Sequence, residues 1–408
     1  MTSQAPAAGV PPSYRWTIAL CLGVASWAVN LPTISLGLLF PSIREEFNLT
    51  PVQEGWLGSA VQVGSIVFMV AAVAKLSKAS PRPLFLWSMA IGTLGVFLMG
   101  AATGFLMLLF VRLLFGGISS TRSPGRALFV EMWFPKKEFP IVNGIAISLQ
   151  GVSEFTALAV TPWIEELTGS WRATLFIIGG VHALILLVWI VFGKERRTPA
   201  FQERMRSAPP LSVKTAFGYK QIWLASFACL GGFLAWTAFA VFWPSFMLET
   251  RDFPLRKSGF LIGLVPLASV FAGITLGVVA SRIDDRRPIF VAAGAILIAG
   301  MLGLMVTDGY PLLVLCVVAV GVAWGVTPLL FTVPFEVPDI PVTHIAAGLT
   351  LVTVAATVGS SVGPLIAGAI TDVTDSRFIA LVACATAGAS MVVFPLFLKP
   401  SAKQSSAR

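Results

Sequence analysis

The chain has 408 residues, of which 56% are hydrophobic and only 12% charged, and its mean hydropathy is +0.86. A soluble domain of this size carries about 25% charged residues, so the composition excludes a water-solvated globular enzyme and fits a chain embedded in hydrocarbon. The net charge of +9 gathers in the loops of one side, which reads as membrane topology and not as a nucleic-acid surface.

Residues 1–14 are polar, rich in Pro and Ala and free of charged side chains, so no cleavable signal peptide is expected. Apolar runs long enough to cross about 30 Å of hydrocarbon then follow at 16–41, 56–76, 84–102, 105–129, 141–163, 172–193, 221–247, 258–280, 289–306, 311–334, 344–370 and 378–398. These predict twelve spans. Little more than Thr103-Gly104 separates the third from the fourth. The segment 194–219 between the sixth and seventh is polar, basic and Pro-containing, and predicts a linker between two six-helix bundles, 1–193 and 220–408. With the N-terminus inside, 19 Lys and Arg fall on the inner side and 6 on the outer. That asymmetry predicts both termini in the cytoplasm of a plasma (inner) membrane protein.

The second bundle repeats the first at an offset of about 203–206 residues. Phe40-Pro41-Ser42 returns as Trp243-Pro244-Ser245, and Pro51 as Pro254. Gly55-Trp56-Leu57 matches Gly259-Phe260-Leu261, and Arg82-Pro83 matches Arg287-Pro288. Gly117 and Pro124 match Gly321 and Pro328, and Leu167-Thr168-Gly169-Ser170 matches Val373-Thr374-Asp375-Ser376. A constant offset in constant order implies a duplicated six-span unit, the arrangement of transporters with a site between parallel repeats.

Between spans eight and nine runs Gly277-Val-Val-Ala-Ser281-Arg282-Ile-Asp284-Asp285-Arg286-Arg287-Pro288. It resembles the cytoplasmic loop signature of the major facilitator superfamily, with serine in place of an aspartate and one residue inserted. The copy between spans two and three, Lys75-Leu-Ser77-Lys78-Ala-Ser-Pro-Arg82-Pro83, lacks the acidic residue. Span four carries Arg112-Leu-Leu-Phe-Gly116, similar to the family's R-x-x-x-G, and ends in Trp133-Phe134-Pro135-Lys136-Lys137-Glu138. This ending is similar to that of the anion:cation symporters and of the nitrate, oxalate and cyanate porters. The departures are specific. Ser119 stands where that branch often has glutamate. Spans two and eight lack the paired arginines of nitrate porters, and spans eight and eleven lack the basic residues of oxalate exchangers. Gly359-x-x-x-Gly363-Pro364 lies in span eleven, not in span five. The resemblance implies an all-α membrane protein of two six-helix repeats that carries a small solute by alternating access, with no cofactor and acting as a monomer.

An ionisable group at mid-bilayer costs at least about 2.5–3.5 kcal/mol and normally faces a cavity or a partner. At about 100° per residue, Arg112, Arg122 and Arg126 share one sector of span four with Gly116, Ser119 and Ser123. Gln150 and Glu154 share a face of span five. Arg122 is the substrate or proton candidate, or else a structural partner of Glu154. Arg112 has a motif role near the outer end, Arg126 snorkels or pairs with Glu131, and both are candidates, with Glu154, for proton coupling or gating. Glu154 is the candidate proton carrier, or a gate if it pairs with Arg122. Asn30, with Trp27 and Thr33, offers polar contacts in span one, where Asn30-Leu-Pro32 either unwinds the helix or merely kinks it. The second bundle offers only uncharged groups: Trp236, Thr237, Trp243, Trp324 and Thr327.

Three arginines against one glutamate favour a small organic anion, such as a monocarboxylate, as substrate. The rivals are efflux of apolar or cationic compounds, suited to the aromatic second bundle, and a transport-inactive sensor or assembly protein on the same fold. No enzyme is expected: there is no Walker loop, and His182 and His344 lie in opposite halves. Cys21, Cys229, Cys316 and Cys384 stand alone in apolar runs without CxxC spacing, so neither a disulfide nor a metal site is expected.

Overall fold

A computed structural model describes residues 13–76, 81–196, 213–283, 285–337 and 340–399. The linker core at 197–212 and Asp284 of the loop signature therefore lie outside the described residues. Among the described residues, eleven helical stretches are long and apolar enough to cross a membrane, and the helix Pro51–Leu76 stands between the first and second of them. Taken in order, the twelve predicted spans are observed as helices.

Eight spans are single helices: the second, Pro51–Leu76; the third, Pro81–Gly100; the fifth, Phe139–Thr168; the sixth, Trp171–Phe192; the seventh, Lys220–Arg251; the eighth, Leu255–Arg282; the ninth, Arg287–Val306; and the eleventh, Val342–Thr374. Four are broken. Span one is Tyr14–Val24 followed by Trp27–Phe47. Span four is Phe105–Ser120 followed by Arg122–Trp133. Span ten is Tyr310–Trp324 followed by Thr327–Glu336. Span twelve is Arg377–Ala387 followed by Ser390–Val393 and a terminal 3₁₀ turn.

The breaks in spans four and ten have one cause. Pro124 and Pro328 have no N–H, so neither can donate to the carbonyl four residues back. Those carbonyls belong to Ser120 and Trp324, the last residues of the two first segments. In span one, however, the break falls at Ala25-Ser26, and helix Trp27–Phe47 runs through Pro32 without unwinding. The helix is therefore not unwound at Asn30-Leu-Pro32.

The repeat is visible in the caps as well. Asn48 and Asp252 close spans one and seven in the left-handed conformation, and Gly169 and Asp375 close spans five and eleven the same way. Ser170 and Ser376 then cap the next helices by accepting the amides of Ala173 and Ile379. The matched tetrapeptides at 167–170 and 373–376 are thus one helix-turn-helix corner used twice.

The bundles meet along spans two with eleven, five with eight and one with seven. Glycines permit this approach. A Cβ at Gly55 would lie 2.6 Å from the Pro364 carbonyl oxygen, and one at Gly368 would lie 2.4 Å from that of Pro51. Within the first bundle, a Cβ at Gly116 would fall 1.9 Å from the Val61 carbonyl oxygen.

Candidate functional site

The polar groups of the first bundle gather where spans one and five pack. Asn30 Nδ2 donates to Ser153 Oγ at 2.6 Å and lies 3.5 Å from the Gln150 carbonyl oxygen. Ser153 Oγ donates to that same carbonyl at 2.7 Å. Gln150 Nε2 donates to Glu154 Oε1 at 3.2 Å, as the four-residue spacing on one helix face requires. The ladder continues outward through Ser35 and Thr161 at 2.6 Å, and through Ser42 donating to Glu165 at 2.6 Å. Ser153, Ser35 and Thr161 carried no sequence signal, because lone hydroxyl residues in apolar spans mostly bond their own helix.

This cluster borders the interface between bundles. A Cβ at Gly151 would lie 2.4 Å from Val270 Cγ2 and 3.0 Å from the Pro266 carbonyl oxygen of span eight, while neighbouring Gln150 is exposed. In the second bundle, Trp236 and Trp324 are nearly buried and pack against each other with ring centroids 5.7 Å apart. Phe233 meets the Trp324 ring edge-on at 4.9 Å. The two tryptophans thus form one apolar wall with Phe233.

Two of the three arginines of span four, Arg112 and Arg122, meet different neighbours. Arg112 is buried and donates to the carbonyls of Leu57, Pro32 and Thr33 at 2.9, 3.1 and 3.1 Å, tying span four to spans one and two. Arg122 faces span three, with Nη2 3.5 Å from the Ser88 carbonyl oxygen and 3.3 Å from Ser119 Oγ. Arg126 is half-buried farther along. A single 100° rotation along span four takes no account of the interruption at Thr121, between the segments Phe105–Ser120 and Arg122–Trp133. Arg122 and Glu154 form no ion pair among the described residues, and the only side-chain partner found for Glu154 is Gln150.

Every ion pair between bundles among the described residues lies at the face predicted to be outer. Arg377 Nη2 meets Glu54 Oε2 at 2.9 Å, and its Nε meets Glu249 Oε2 at 2.9 Å. Arg44 Nη2 meets Glu249 Oε1 at 2.6 Å, and its Nε lies 3.6 Å from Glu54 Oε1. Two cations and two anions therefore alternate around a ring that joins spans one, two, seven and twelve. Arg256 and Glu166 form a further, exposed pair at 3.3 Å. A cavity of about 610 Å³ opens at this face beside Ser42, Glu46, Glu165 and Arg256, away from the Gln150–Glu154 cluster.

At the opposite face the loop signature works inside the second bundle. Arg286 pairs with Glu336 at the end of span ten and donates to the Ala280 carbonyl. Arg287 bonds Asp285 at 2.9 Å and holds that carboxyl below the usual carboxylate range. Arg282 is exposed, and a Cβ at Gly277 would meet nothing within 4 Å. In the first bundle, Arg15 pairs with Glu138 at 3.2 Å, and Trp133 Nε1 donates to the Lys194 carbonyl at 3.0 Å. The Trp-Phe-Pro-Lys-Lys-Glu ending thereby anchors the ends of spans one and six.

Comparison with known proteins agrees with this architecture. An uncharacterized transporter, YycB, of Bacillus subtilis (strain 168) is 26% identical over 314 residues, covering 75% of each chain. A D-galactonate transporter of Escherichia coli O6:H1 is 23% identical over 323 residues, covering 70% of this chain and 73% of its own. Among solved structures, a bacterial homologue of the human lysosomal transporter Spinster, crystallised inward-facing and unoccupied, superposes with a TM-score of 0.75 at 16% identity, covering 96% of this chain and 95% of that one. The sequence pattern of the Major Facilitator Superfamily matches residues 17–339. With two six-helix repeats meeting along a polar seam, the chain belongs to that superfamily and is a multi-pass membrane transporter of small solutes.

Proposed function

We propose that this transporter carries a small organic anion, of the monocarboxylate class, by alternating access coupled to protons. The observation that carries the reading is the charge count inside the first bundle. Arg112, Arg122 and Arg126 stand against Glu154, and no ion pair links any of them among the described residues. An electropositive interior lowers the cost of bringing an anion out of water. Galactonate, named for the Escherichia coli relative, is itself a monocarboxylate.

In this reading Asn30 and Gln150 bind substrate polar groups, Trp236 and Trp324 form the facing apolar wall, and Arg126 supplies positive charge along span four. Arg122 acts through its field, since it faces span three. Glu154 exchanges the proton: its amide partner Gln150 can bond either protonation state, whereas a guanidinium partner would hold it ionised. The bundles 1–193 and 220–408 rock about this seam on the 194–219 linker in a monomer, in an inner membrane with both termini cytoplasmic. The ring of Arg44, Glu54, Glu249 and Arg377 then closes the outer side.

Labelled monocarboxylates offered to proteoliposomes under imposed pH gradients test the reading. Accumulation should follow an inward proton gradient. Glu154→Gln should abolish gradient-driven accumulation while leaving anion exchange measurable. Accumulation unchanged in that variant would remove Glu154 from coupling. Absence of flux for every monocarboxylate, together with export of apolar cations, would favour efflux, the reading that the Phe233, Trp236 and Trp324 cluster also supports.

A further inference from the structure

A second polar cluster lies off the seam, between spans three, four and six. Arg122 is 5% exposed, and its Nε and Nη1 have no hydrogen-bond partner among the described residues. Its Nη2 has only the Ser88 carbonyl at 3.5 Å and Ser119 Oγ at 3.3 Å. His182 is 1% exposed, with Nδ1 2.7 Å from Thr93 Oγ1, the Ala28 backbone within reach, and Nε2 without a partner of good hydrogen-bond geometry among the described residues. The groups are neighbours: a Cβ at Gly92 would lie 2.8 Å from Arg122 Nη2 and 3.4 Å from His182 Nε2. No carboxylate forms an ion pair with Arg122 among the described residues.

An unpaired buried ion costs several kcal/mol even after relaxation. Orphaned donors on that ion add to the cost. Both are relieved by one bound negative charge. We infer that this pocket holds a small monovalent inorganic anion of halide size, bound by the Arg122 guanidinium and the Ser119 hydroxyl beside His182. Ser119 Oγ accepts from Arg122 and so keeps its own hydrogen to donate. Thr93 can give its hydroxyl proton either to the Met89 carbonyl, 2.9 Å away, or to His182 Nδ1. The second choice puts the ring hydrogen on Nε2 and makes it a further donor. The Arg122 and Ser119 polar atoms lie 3.3 Å apart, which suits an ion with a single acceptor atom. A halide is one atom, whereas a carboxylic acid needs room for several. The site is separate from the Asn30–Glu154 seam, so the inference does not rest on the transported substrate; with the halide bound, Arg112 and Arg126 carry the net positive charge of the first bundle.

The test is thermal unfolding of the purified protein in detergent, titrating chloride against sulfate at constant ionic strength. The wild type should gain stability along a saturating curve, and crystals soaked in bromide should show an anomalous peak at the guanidinium. Arg122→Gln should lose the chloride response. If that variant fails to fold, Ser119→Ala carries the test: loss of one hydrogen bond should weaken chloride binding about fivefold. A flat response in the wild type would overturn the inference. So would a saturating response left unchanged by Ser119→Ala with bromide bound elsewhere.

Discussion

Arg112 shows how one buried cation becomes a structural joint. Its three carbonyl acceptors come from two other spans, and hydrogen bonds from a charged donor are worth about 1.5–3 kcal/mol each. Arg112→Met should therefore destabilise the protein by about 3 kcal/mol or more, read as loss of thermal stability in detergent. Arg112→Lys should recover only part of it, because an ammonium cannot fan its donors to three carbonyls as a planar guanidinium does. Gly116 is the counterpart without a side chain. Its place 1.9 Å from the Val61 oxygen, counted from an added Cβ, means that Gly116→Val must push spans two and four apart. Reduced expression and a lower melting temperature are the expected outcomes. Both residues were marked in the sequence by the R-x-x-x-G motif, but only the fold says which carbonyls they meet.

Among the elements, the charge ring at the predicted outer face carries the sharpest energetic claim. Glu54 is fully buried and Arg377 nearly so, whereas Arg44 and Glu249 are about one-third exposed. Removing one partner of a buried pair costs about 3–5 kcal/mol, while exposed pairs are worth up to about 1 kcal/mol. Arg377→Met should thus loosen the closed face far more than Arg44→Met. A cysteine at Val241, which packs on Gly37 across the interface, should label faster from that face in the first variant than in the second. Equal labelling would show that the ring does not hold the bundles together. The Asp285–Arg287 turn behaves differently. Its carboxyl is held below the usual range, so its contribution is present above the ordinary carboxylate pKa of about 4 and fades as pH falls through the lowered value. Asp285→Asn should remove that acid sensitivity from the loop, as read by hydrogen exchange of the Arg287 amide. The helix breaks were half legible. Pro124 and Pro328 stand in the sequence beside them, but that Arg112 and Arg122 meet different neighbours comes from their contacts alone.

Over the whole molecule, the ion pairs between bundles gather at one face among the described residues, while the Asn30, Gln150 and Glu154 cluster borders the interface farther in. Gly368→Val should hold the bundles apart at that face, because Pro51 leaves no room for a larger side chain. The expected result is greater labelling of a cysteine at Pro364 with loss of net uptake. Hydropathy, the repeat offset and the loop motifs determined by themselves that the chain is a duplicated twelve-span transporter. Lipid offers no hydrogen bonds to a bare backbone, so each long apolar run must become a helix. They also placed Gln150 and Glu154 together, because i and i+4 always share a helix face. Tertiary structure alone decided that Asn30 reaches Ser153, that Glu54 meets Arg377 across 323 positions of chain, and that Arg122 turns toward His182 and away from Glu154. Those contacts depend on how whole helices rotate and approach one another. Periodicity along one helix carries no record of its neighbours' phase.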